Sequence, residues 1–173
     1  MKTSNGNCRK ASREKFPFRP EDIYVVASAV KAAVAFCPSA PKEIGGYFAL
    51  HCARREYLIT ASILGKSSQM DAVRDLARAL QDGNLVARSG YMSQEVRMRH
   101  PAASVLVDGY VLTFAGVSFY ASEAAMLLTA HNLGMIPNDA LCAHLEKYPN
   151  PIASRLFEML VEQIKKRKKS KKS

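Results

Sequence analysis

The sequence has no long hydrophobic run. A helix needs roughly 18 to 20 apolar residues to span a bilayer, and the longest apolar stretch, Ile23 to Phe36, is interrupted by Lys31. A transmembrane segment is therefore not expected. The opening residues, MKTSNGNCRKASREKFPF, lack the apolar core of a secretory signal, which sets the expectation of an intracellular protein. Cysteine is sparse. Cys8, Cys37, Cys52 and Cys142 are scattered, and no two form a C-x-x-C pair. Structural zinc sites draw their ligands from closely spaced pairs, so the reading is free thiols and no metal site. No internal repeat of useful length is present.

What is there points to a folded domain with charged ends. Hydrophobic residues make up 48% of the chain, too many for a disordered protein. The net charge is +10, but it is unevenly placed. Residues 1–15 carry five bases and one acid. The last nine residues, KKRKKSKKS, carry seven bases and no acid. The stretch between is close to neutral, which argues against a broad basic nucleic-acid-binding face. We expect a basic irregular arm at 1–19, one α+β domain at 20–164 and a basic disordered tail at 165–173.

Periodicity fills in the domain. Pro20, Glu21 and Asp22 suit a first helical turn. Ile23, Val26, Ala27, Val30, Ala33, Val34 and Cys37 then follow helical spacing up to Pro38. YFALHCA and EYLITASIL read as two strands of a hairpin. A helix is predicted from about Ser68 to Asp82-Gly83, with Met70, Val73, Leu76, Ala77 and Leu80 buried and Asp71, Asp75, Arg74 and Arg78 solvated. EVRMRH, residues 95–100, reads as a half-exposed strand. Val105–Val107 is a strand, Asp108-Gly109 a two-residue hairpin turn, and Val111–Phe119 the return strand. Gly116 inside that run marks a kink or a close approach. Ser122 is the expected cap of the next helix and Gly134 its exit. Asn138 is expected to cap a helix carrying Leu141, Leu145 and Tyr148. Asn150-Pro151 is expected to start another, with Leu156, Met159, Leu160 and Ile164 in a stripe. Two-residue turns join only antiparallel strands, so the fold class is α+β, a central antiparallel sheet flanked by helices, with extra helices at the C-terminus.

That order of elements, with Val107, Asp108, Gly109, Gly116, Val117, Ser118 and Glu123 in the text VLVDGYVLTFAGVSFYASEAAMLLTAH, resembles the haem-degrading domain family over roughly residues 20–134. The resemblance implies a profilin-like fold and makes haem the named candidate ligand. In place of that family's Gly-rich first hairpin turn, this chain has Arg54-Arg55-Glu56.

Candidate site residues are few. Cys37-Pro38 is the core of haem-regulatory motifs, in which a thiolate ligates ferric iron, and His100 precedes Pro101 at a strand end where a ligand side chain projects. Cys37 and His100 are the candidate ligand-binding residues. His51 and Cys52 are strand neighbours and point to opposite faces, so they do not share a metal. His131 sits near a helix end that favours its cation. The sequence ILGKSSQM lacks the first glycine of a phosphate loop, since position 60 is Thr60. Lys66, Ser67 and Ser68 are left as an anion site at a helix start. Lys165, Lys166, Arg167, Lys168, Lys169, Lys171 and Lys172 form a cluster suited to phosphate contact or to nuclear import. It has no interleaved aromatics for base stacking.

No motif commits to a reaction, and no catalytic residue is assigned. The expected function is a non-catalytic accessory protein that binds a small ligand, haem by resemblance, or a protein partner. The alternatives are a nucleic-acid-associated protein gripping phosphate with its basic ends, and a small enzyme using a Cys/His pair. An exposed sheet edge offers a way to pair two copies.

Overall fold

The computed structural model describes residues 18–38, 44–52, 57–64, 74–81, 83, 102–107 and 109–170, with positions 52, 57, 58 and 162–170 described by their backbone alone. It is an α+β fold built on a four-stranded antiparallel sheet. The strands are β1 (Gly46–Cys52), β2 (Tyr57–Ile63), β3 (Ala102–Val107) and β4 (Tyr110–Ala115), in the spatial order β2-β1-β4-β3. Two hairpins, β1–β2 and β3–β4, are joined along β1 and β4, with Phe48 opposite Phe114 and Leu50 opposite Leu112. The turn between β3 and β4 is two residues long, and Gly109 takes φ 77°, a conformation open to glycine at little cost.

One sheet face carries the main core. Phe48, Leu50, Val105, Leu112 and Phe114 are buried there against helices. Each such side chain contributes roughly 2–3 kcal/mol through removal from water. The other face is made of small residues. Ala49, Ala102 and Ala115 pack with Ala79, and Ser104 and Thr113 satisfy each other at 2.7 Å. A second helix, α2 (residues 74–81), lies on this side. Helical backbone is also found at Gly83, the second residue of the expected stop Asp82-Gly83. A Cβ at position 83 would stand 3.1 Å from the Thr113 hydroxyl. The small sheet face admits close approach, and this rotates the helix away from the expected stripe. Asp75, expected in solvent, is buried and pairs with Arg78 at 3.7 Å, whereas Ala77 is exposed.

The first helix, α1 (Ile23–Ala35), is preceded by a single 3-10 turn over Pro20–Asp22, where the Arg19 amide donates to the Asp22 carboxylate at 2.6 Å. Phe18, expected in the irregular arm, is buried and stacks on Phe48 at 5.2 Å, so the packed domain extends to Phe18.

α3 (Phe119–Asn132) is the central helix, and eleven of its fourteen residues are buried. It packs against α1, β3 and β4. It starts a full turn earlier than expected. The return strand ends at Ala115 rather than Phe119, and Ser118, not Ser122, accepts the Ala121 amide as the cap. Gly116 explains the early break. It takes φ 134°, and any Cβ there would collide with Gly45 and Gly46 at the start of β1. The exit follows expectation. Gly134 takes φ 70°, its amide reaches the His131 carbonyl, and the Met135 amide reaches that of Ala130, which is the Schellman pattern.

Two helices complete the chain, α4 (Asn138–Lys147) and α5 (Pro151–Ser170). Pro137 rather than Asn138 holds the cap position of α4. α5 continues through residues 165–170, so the first part of the expected disordered tail is helical backbone. Among the described residues no helix is long and apolar enough to cross a membrane. The expected strand at 95–100 lies outside the described residues.

Candidate docking groove

Of the residues singled out in the sequence, Cys37 is described in full. It follows the last turn of α1 and is half-buried. Its sulfur lies 3.8 Å from the Ala33 carbonyl oxygen and 3.8 Å from the Ser118 hydroxyl. These are the weak, long contacts of a packed thiol. His100, and with it the Cys37–His100 pair, falls outside the described residues, as do Lys66, Ser67 and Ser68. Lys165, Lys166, Arg167, Lys168 and Lys169 fall on the helical backbone of α5, and Lys171 and Lys172 lie outside the described residues. Among the described residues no three His, Cys, Asp or Glu side chains come together around a metal-sized point.

The sequence reading missed a groove between α4 and α5. Cys142, Leu145 and Glu146 line it from α4, and Ser154, Phe157, Glu158 and Val161 from α5. The spacing is i, i+3, i+4 on the first helix and i, i+3, i+4, i+7 on the second, so each helix presents one continuous stripe. The groove is open to solvent and has a volume of about 550 Å3. Its floor is apolar, and Glu146 and Glu158 stand exposed on its rim. Among the described residues neither carboxylate is ion-paired. Val161 is 48% exposed and Met159 45%. Met159 was expected on the buried stripe of α5. Leu156 is buried as expected, together with Ile152 and Ala153, against α3, and Leu160 is partly buried against the core, which leaves the Phe157–Val161 side to the groove.

Polar contacts fix the two helices that form it. Asn150 is fully buried at the start of α5. Its side-chain oxygen accepts the Ile152 and Ala153 amides, both at 3.0 Å. Its side-chain amide donates to the Tyr120 carbonyl at 3.0 Å and to the Glu123 carboxylate at 2.8 Å. One residue thus caps α5 and ties it to α3, with every hydrogen-bonding site of its amide used. His131, at the end of α3, reaches the Asn138 side chain at 2.7 Å and stacks edge-on against Phe157 at 5.5 Å. It therefore braces the first turn of α4 and one floor residue of the groove at once.

A trace of the groove was present in the sequence. Glu158 and Val161 continue a helical stripe outside the buried face of α5, and on α4 the exposed Cys142 and Glu146 flank Leu145, which also packs against the core. What spacing cannot supply is that the two stripes meet across the chain reversal at Tyr148–Asn150. Comparisons with protein-family models, with curated proteins and with solved structures find no match to this chain.

Proposed function

We propose that this chain is a non-catalytic partner-binding accessory protein, and that its partner lays an apolar helix face bearing basic residues into the groove between α4 and α5. The supporting observation is the groove's composition. Leu145, Phe157 and Val161 form an apolar floor, and Glu146 and Glu158 form an acidic rim. A contiguous exposed apolar patch with a polar rim marks an interaction surface. Two stripes of adjacent helices form a trough suited to a third helix, in the manner of helix-in-groove recognition. The acids add selectivity, because a neutral or acidic helix leaves them unanswered or repels them.

Net charge sharpens the test. The chain carries +10, so a basic peptide is repelled by the molecule as a whole and attracted only where acids gather. The experiment is a fluorescence anisotropy titration of dilute protein with a labelled synthetic amphipathic helix of leucine and lysine. A scrambled peptide of the same composition is run beside it. We expect saturable binding of the amphipathic peptide alone, weakened at least about tenfold by Val161→Asp. Val161 is half-exposed, so that variant should retain the parent's thermal midpoint. Equal binding of the scrambled peptide, or of the parent and Val161→Asp, would reject the proposal.

A further inference from the structure

The stripe on α5 does not end with the groove. Ser154, Phe157, Glu158 and Val161 line the groove, and helical backbone continues to Ser170. The same helical spacing passes next through positions 164, 165 and 168, which the sequence fills with Ile164, Lys165 and Lys168. One stripe is therefore acidic and apolar in its first half and apolar and basic in its second. Such a stripe is complementary to itself when reversed.

We propose that the partner in the groove is α5 of a second copy of this chain, laid antiparallel, an inference that rests on the groove being a docking site. A two-fold axis passing near Val161 sets Val161 against its own counterpart. It brings Glu158 of one copy opposite Lys165 of the other, and Ser154 opposite Lys168. The contact is isologous, so each pairing occurs twice. Glu146, on the same rim from α4, adds a second carboxylate beside the arriving lysines. A parallel arrangement is disfavoured because it sets lysines against lysines and glutamates against glutamates. The second copy thus supplies both features that the groove selects, an apolar face and basic residues. It also covers Val161, whose exposure a lone chain leaves unexplained. Local pairing has to overcome the mutual repulsion of two chains of net charge +10, which makes the interface sensitive to the sign of single residues at its centre.

The test is charge exchange on the full chain, read by sedimentation equilibrium. The parent is expected to dimerise. Glu158→Lys and Lys165→Glu, each alone, should weaken self-association at least tenfold. An equimolar mixture of the two should recover association as a heterodimer, and the double variant Glu158→Lys/Lys165→Glu should dimerise again. Positions 158 and 165 are seven apart on one helix, beyond the reach of neighbouring side chains in that helix. Recovery therefore reports contact between chains and not repair within one. A monomeric parent would overturn the inference. So would dimers untouched by either single exchange, which would place the contact elsewhere, for instance along an edge strand of the sheet. A monomeric parent that still binds the leucine–lysine helix in a Val161-dependent way would leave the groove standing and remove only the second copy. A monomeric parent that binds neither would remove both.

Discussion

At the scale of single residues, Asn150 is the side chain on which the site depends most. It makes four hydrogen bonds while fully buried. Asn150→Ala removes a helix cap and one donor to the buried Glu123 carboxylate, which is 1% exposed. We expect a loss of about 3 kcal/mol, from roughly 1 kcal/mol for the cap and the rest for a buried acceptor left without this donor. Glu123→Gln keeps an acceptor facing Asn150 and should cost less. Urea unfolding of both variants measures the difference, and a smaller loss for Asn150→Ala would contradict this reading of the contact. Asn150-Pro151 was readable as a helix start, since an N-cap followed by proline is a local signal. Its tie to Glu123, twenty-seven residues earlier in the chain, depends on how helices meet and leaves no local mark.

At the scale of elements, the start of α3 shows two serines with opposite consequences. Ser118 caps the helix by accepting the Ala121 amide, whereas the Ser122 hydroxyl is fully buried and has no hydrogen-bond partner among the described residues. Ser118→Ala should destabilise by about 1 kcal/mol. Ser122→Ala should be neutral or mildly stabilising, because it removes an unsatisfied buried polar group. Thermal melts of the two variants give the comparison, and the opposite order would contradict the assigned cap. The sequence favoured Ser122 because Val117 and Phe119 extend the strand-like text beyond Ala115. The backbone conformation at Gly116 overrides that propensity, since its close approach to Gly45 and Gly46 ends the strand. Where a local requirement has one solution, as at Gly109 and Gly134 with their positive φ, the sequence was legible. Where two residues met the same local requirement, tertiary packing decided between them. The α2 helix is the same lesson in packing. Alanines on the sheet accept Ala79 at close range, and the hydrophobic stripe read from larger residues was rotated accordingly.

At the scale of the whole molecule, charge and apolar surface are arranged along the chain rather than over a face. The expected α+β architecture with an antiparallel sheet is what the structure has. The sheet and three helices form the body, and α4 and α5 meet on its side to form a groove. The basic residues lie at the far end of the helix that builds one wall of it. The central claim is that this groove is occupied when the protein works. Cys142 is a free, exposed thiol on its lining, and so a native reporter placed inside it. Cys37, also free, lies apart beside Ser118 and serves as the internal reference. The most direct measurement is the alkylation rate of each thiol in the full chain, diluted until it is monomeric, followed by peptide mass spectrometry, with and without saturating leucine–lysine helix. Cys142 should slow at least several-fold while Cys37 keeps its rate. An unchanged Cys142 rate under conditions where the peptide is bound would place the partner elsewhere and rule the groove out as the docking site.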